Sequence, residues 1–184
     1  MRRRVIVLLV GLLGVIPMLF SGCSRLLGLE DDNNKVDSTF SQLLDAIETK
    51  DESAVEALFA RNIVAENGSF AQGVSDLLDF CNGKITSCNA RSARITSENR
   101  NGSDYYKEIS STYDVETTES QYRFAMKFRV TDTIEPQNVG IASLYVTEFS
   151  NKENQAFAYW GDGNWTPGIN IESKEISEER FSEF

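Results

Sequence analysis

The chain contains no histidine among its 184 residues. That absence removes histidine-based zinc sites, the serine–histidine–aspartate triad and the imidazole general base together. Proline is scarce at three residues, so no proline-rich linker divides the chain. Three cysteines are too few for a disulfide-dense scaffold or a four-cysteine metal site. Basic residues are in deficit, 18 against 28 acidic, giving a net charge of −10. A nucleic-acid partner needs a basic face, and this balance argues against one. The sequence also lacks a Gly-x-Ser-x-Gly nucleophile elbow and a phosphate-binding glycine loop. No cofactor and no metal is implied.

What is present is an ordered leader. Arg2-Arg3-Arg4 is followed by Val5–Phe20 without a charge, then by the small residues Ser21 and Gly22 and by Cys23. A positive start, an apolar run and small residues before a cleavage point define a secretory signal. The run falls short of the roughly 20 residues a membrane span requires, and Pro17 interrupts it. Phe20-Ser21-Gly22-Cys23 resembles the lipobox of bacterial lipoproteins, although Phe20 stands where that family usually has Leu, Val or Ile. The resemblance implies diacylglyceryl attachment to Cys23 and cleavage just before it. An uncleaved anchor helix is the alternative. In both readings the three arginines hold the N-terminus inside and place the rest at the extracytoplasmic face of the cell membrane. Loss of those arginines leaves 15 basic residues against 28 acidic. Acyl chains, each buried methylene contributing about 0.8 kcal/mol, would then hold the domain, since anionic lipid repels it.

Four segments follow from this reading: a signal at 1–22, a lipidated cysteine and tether at 23–34, a domain at 35–171 and an acidic tail at 172–184. Cys81 and Cys88 are the cysteines that remain, with Asn82-Gly83 between them as a tight turn. In an exported protein an even pair predicts a disulfide, worth roughly 2–3 kcal/mol for so short a loop. Two separate thiols, one on a helix and one on a strand, are the alternative.

Hydrophobic periodicity predicts three helices. Val36, Phe40, Leu43, Leu44 and Ile47 make one stripe; Ala54, Val55, Leu58 and Phe59, behind an Asp51 N-cap, make a second; Phe70, Val74, Leu77, Leu78 and Cys81 make a third. The period then changes to two. Strands are predicted over 88–97, 105–116, 121–133, 140–149, 156–160 and 165–171, with Gly161–Asn164 as a hairpin turn between the last two. Along 121–133, Tyr122, Phe124, Met126, Phe128 and Val130 take one face, and Arg123, Ala125, Lys127, Arg129 and Thr131 the other. On 140–149, Ile141, Tyr145 and Phe149 alternate with Ala142, Leu144 and Val146. Helices followed by a run of strands predict an α+β fold, three helices on one face of a curved antiparallel sheet of five to six strands.

This order is similar to the nuclear-transport-factor-2-like (cystatin-like) superfamily, and with the leader to a domain-of-unknown-function lipoprotein family within it. The carrying residues are Leu43–Ile47, Ala54–Phe59 and Asp162-Gly163-Asn164-Trp165. The resemblance implies a cone with a pocket between sheet and helices. Tyr113, Tyr122, Phe124, Met126, Phe128, Tyr145, Trp160 and Trp165 are the residues expected to line it. Two kinds of use are open: a non-catalytic module binding a small apolar or amphipathic ligand or a surface protein, or an acid–base isomerase, dehydratase or cyclase. The enzyme would pair a tyrosine (Tyr113, Tyr122 or Tyr145) with a carboxylate such as Asp114, its pKa raised by burial. Strand tyrosines are equally suited to plain packing. Trp160 and Trp165 could stack on a sugar, or close the core. Arg123, Lys127 and Arg129 form a basic stripe that either receives an acidic partner or is neutralised by neighbours. Asp162-Gly163-Asn164 has only part of a calcium loop.

Overall fold

The computed structural model describes residues 30–91, 95–149 and 165–172. Helix α1 spans Glu30–Thr49, so it begins within the stretch expected to be tether. Asp32 belongs to its first turn, where the positive end of the helix dipole favours a carboxylate. A backbone turn ends it: Lys50 takes the left-handed φ of 54°, and Asp51 N–H donates to Ala46 O at 2.9 Å. Helix α2, Glu52–Leu58, is capped as expected, with Asp51 accepting from Ala54 N–H at 3.0 Å. Helix α3, Arg61–Glu66, was not foreseen; it is six residues long and buries no side chain fully, so it leaves no stripe in the sequence. Helix α4, Phe70–Phe80, buries Phe70, Val74, Leu77 and Leu78. The described chain thus has four helices rather than three.

Six strands follow: β1 Ile85–Ala90, β2 Ile95–Asn101, β3 Asp104–Thr117, β4 Gln121–Asp132, β5 Gly140–Glu148 and β6 Gly168–Glu172. The order is β1-β3-β4-β5-β6, in a curved sheet that does not close. The single strand expected over 88–97 is two. β1 pairs with the C-terminal half of β3 (Cys88 opposite Val115) and β2 with its N-terminal half (Thr96 opposite Ile109). The long β3 therefore shares one edge between two short partners. A second correction concerns direction: β6 runs parallel to β5, with Leu144 opposite Ile169, so the sheet is mixed. The expected strand 156–160 and its turn lie outside the described residues.

Register irregularities bend the sheet at Lys107/Glu108 and Lys127/Phe128. The second explains a misplaced alternation on β5. Lys127 pairs with Ser143 and Phe128 with Ile141, leaving Ala142 as the extra residue. Past it, Leu144 and Val146 join Ile141 on the core face and Tyr145 turns to the other. On β4 the predicted alternation holds: Tyr122, Phe124, Met126, Phe128 and Val130 all enter one cluster with the helix stripes. At its centre the Phe40 ring stacks on Tyr113 at 3.7 Å and meets Phe124 edge-on at 5.5 Å.

Gly140 fixes how the helical part joins the sheet. Phe59 forms an isolated parallel bridge to Ile141, and Ala60 N–H donates to Ile141 O at 3.0 Å. A Cβ on Gly140 would fall 2.6 Å from Ala60 N, and the residue has φ 136°. Only glycine permits that approach.

Candidate functional site

Four of the expected pocket residues are buried in the core cluster of the sheet and helices. Tyr113 and Met126 are fully buried, Phe124 is 1% exposed and Phe128 3%. They fill the interior together with Phe40, Leu43, Leu77 and Leu144. The Tyr113 hydroxyl donates to Asp37 Oδ1 at 2.9 Å. This is a tyrosine–carboxylate pair, but with Asp37 of α1 instead of the sequence neighbour Asp114, and the Phe40 ring lies flat on the tyrosine. Nothing in the sequence marks Asp37 beyond its position one residue from the core stripe.

Tyr122 has a structural task. Its hydroxyl donates to Phe80 O at 3.1 Å and accepts from Asn82 N–H at 3.0 Å, closing the C-terminal end of α4. Burial holds its pKa above the ordinary phenol value. Lys50 supports the same helix end, its ammonium donating to Leu78 O and, at 3.0 Å, to Cys81 O.

Tyr145 stands on the opposite face of the sheet. It packs with Ala125, meets Trp165 edge-on at 6.1 Å, and its hydroxyl accepts from Thr166 N–H at 2.6 Å. The aromatic candidates are thus divided between the two faces and form no common site. Trp160 and the Asp162-Gly163-Asn164 segment lie outside the described residues, as does Cys23.

Cys81 and Cys88 are buried and not joined by a disulfide. Cys81 caps the end of α4 and Cys88 lies within β1, so each thiol is held in the core by its own element. Burial pushes the Cys81 thiol up to about 12, against a smaller opposing effect of Lys50. The expectation of a bridge is corrected to two thiols.

The second sheet face carries most of the ordered charge. Asp114 accepts from Arg123 in bidentate fashion, at 2.7 and 3.1 Å, and also from Arg91. Glu108 pairs with Arg129 at 2.7 Å and Lys127 at 3.4 Å, and Arg129 reaches Asp132 at 2.6 Å. The Arg129 guanidinium also lies 4.2 Å from the centre of the Tyr106 ring. Burial opposes the charge on Arg129, yet Glu108 and Asp132 raise its pKa above the usual value. For Asp132 burial likewise acts upward, but Glu135 N–H, Arg129, Asn138 and Ile134 N–H hold its carboxyl below 3.8. The basic stripe is therefore neutralised by acids of the neighbouring strand, and Arg123 is only 4% exposed.

Among the described residues no group of three or more Cys, Asp or Glu could hold a metal ion. Two shallow clefts lie on the helical surface. One of about 500 Å³ is bordered by Glu56, Phe59, Arg61 and Val64, the other of about 390 Å³ by Gln42, Asp45, Ala54 and Leu58. Neither is bordered by a tyrosine.

These features define an α+β domain with a buried aromatic core, a mixed sheet and an ion-paired second face. The chain belongs to the family described as a domain of unknown function, DUF5104, whose model matches residues 42–151. The match runs from the middle of α1 to just past β5. It contains Cys81, Cys88 and the candidates from Tyr113 to Tyr145, but not Cys23, Trp160 or Trp165. No curated protein matches the chain. No described helix is long and apolar enough to cross a membrane.

Proposed function

We propose that the chain is an exported lipoprotein, anchored by lipid on Cys23 at the extracytoplasmic face of the cell membrane. Its domain acts as a non-catalytic interaction module that engages a protein partner through its surface. The address is supported by the ordered series Arg2-Arg3-Arg4, Val5–Phe20, Ser21-Gly22 and Cys23. Kinship with the nuclear-transport-factor-2-like superfamily is supported by the element order, an early helical group followed by a long bent sheet.

The observation that carries the mode of action is the buried aromatic core. Tyr113, Phe124, Met126 and Phe128 are buried together in one cluster with the helix stripes, which supports a packed core over a ligand cavity. Capture of a small apolar molecule there would require the core to open, at a cost comparable to the domain's marginal stability. The enzyme alternative draws on the Tyr113–Asp37 hydrogen bond. A catalytic pair needs substrate within reach, and this tyrosine is fully buried under Phe40. The pair therefore fits a role in fastening α1 to β3.

Native mass spectrometry of the protein purified from membranes tests the reading. The expected mass is that of the acylated polypeptide alone. A stoichiometric small molecule retained by the folded domain would overturn the surface-acting module in favour of a binding cavity.

A further inference from the structure

Resting on the anchored reading above, we propose that the domain stands on the bilayer through the end of the sheet where α1 begins, with Ile134 seated in the lipid interface. Three segments are fastened together at that end. Asp32 in the first turn of α1 accepts from Lys107 Nζ of β3 at 2.7 Å. Lys35 one turn on donates to Val130 O of β4 at 2.9 Å. The loop after β4 is tied to the start of β3, with Thr133 N–H donating to Tyr105 O at 3.0 Å and Tyr105 N–H to Thr133 Oγ1 at 2.9 Å. The next residue, Ile134, is 60% exposed, the exposed large apolar side chain of the described residues. Half-buried Tyr105 and Tyr106 stand on the same end. Tyrosines and an aliphatic side chain at one end form the composition suited to a headgroup boundary.

Tether length excludes the upright inverted orientation. Seven residue steps separate Cys23 from Glu30 and can span at most about 25 Å. Helix α1 has 20 residues and is therefore about 30 Å long. The far end of the domain holds Lys50, Asn82-Gly83 and the Thr117–Ser120 turn between β3 and β4. With α1 upright, contact of that end with lipid would hold Glu30 about one helix length above the surface, farther than the tether reaches. Between upright and side-lying poses, Ile134 decides. One apolar side chain would not recruit a free domain. A tether holds it at an effective concentration in the millimolar range, where the same contact sets orientation. Charge does not help, since the exported part is acidic and anionic headgroups repel it.

The test uses the full acylated chain reconstituted in phosphatidylcholine vesicles whose acyl chains are brominated. An environment-sensitive fluorophore is attached at S103C, on the near end, or at E119C, on the far end; both positions are exposed. Cys81 and Cys88, being buried, do not compete for the label. The label at 103 is expected to lose emission to the brominated chains and the label at 119 to keep it. Ile134→Asp in the S103C protein, with its fold verified by circular dichroism, is expected to restore emission. Equal quenching at both positions, or more at 119, overturns the orientation; quenching unaffected by Ile134→Asp overturns the lipid contact. The acyl mass on Cys23 is read from the same preparation. Its absence overturns the anchor and this proposal with it, whereas acylation together with contrary quenching overturns the proposal alone.

Discussion

Cysteine 81 illustrates how a residue legible in type is misleading in partner. Its spacing from Cys88 and the intervening Asn-Gly turn fit a short disulfide loop, but the turn serves to carry the chain from α4 into β1, and each thiol is committed to the core on its own side. With its pKa near 12, the Cys81 thiol holds almost no thiolate at neutral pH. Native protein at pH 8 should therefore react slowly with iodoacetamide at this position, and denatured protein, without reductant, should react at both. Peptide mapping that finds the two linked before reduction would contradict this. Ser111 of β3 is a small polar residue whose hydroxyl is buried without a hydrogen-bond partner among the described residues. An unsatisfied buried group costs stability. Ser111→Ala is expected to leave stability unchanged or raise it by up to about 1 kcal/mol, read from urea unfolding. A loss larger than that would reveal a partner for the hydroxyl.

At the scale of elements, what could be read followed from how strongly one face is buried. The stripes of α1, α2 and α4 and the alternation of β4 were legible because each lays a continuous apolar face on one core. Helix α3 was not, because its Ile63 and Val64 are only partly buried and too close to define a period. The faces of β5 were not, because one extra residue at Ala142 inverts the alternation halfway along. The parallel direction of β6 was not, because direction is set by the connection and by pairing, neither of which alters composition. The contact at Gly140 gives a direct measure of how the helices are joined to the sheet. Gly140→Ala should cost about 2–4 kcal/mol, combining positive-φ strain with collision against Ala60. Gly102→Ala, at φ 68° in open space, should cost about 1 kcal/mol. Equal costs measured by denaturant unfolding would show that the close approach carries no weight.

The ion-paired face of β3 and β4 also has a consequence at this scale. Asp132 has a folded-state pKa below its ordinary value. A carboxylate so depressed stabilises the fold above the unfolded value near 3.8, and that contribution is lost as pH falls through the folded value. Wild-type stability should therefore drop below pH 4. Asp132→Asn should be less stable at pH 7 and lose less on further acidification, as followed by thermal unfolding across pH 2 to 7. Parallel pH profiles for the two proteins would remove Asp132 from the account. The basic members of this face were visible in sequence as the row Arg123, Lys127, Arg129. Their acidic partners were hidden until the register of β3 against β4 placed Asp114 opposite Arg123 and Glu108 opposite Arg129.

For the whole molecule, address and interior make different demands on sequence. The proposed address is linear, a succession of charge, apolar run, small residues and cysteine, and needs no fold to be read. The interior depends on packing, and the residues that alternation marked as pocket lining are also those best able to fill a core. Sequence alone does not separate those uses; the stacking of Phe40 on Tyr113 supports packing at that position. On the proposed anchoring, a domain packed in this way would work through its outer surface.

That mooring is most directly tested by the mass of the N-terminal peptide of the protein isolated from membranes. The account predicts a chain that begins at Cys23 and carries a diacylglyceryl group on its sulfur. A chain that still begins at Met1, or one whose Cys23 has the mass of an unmodified residue, would contradict it.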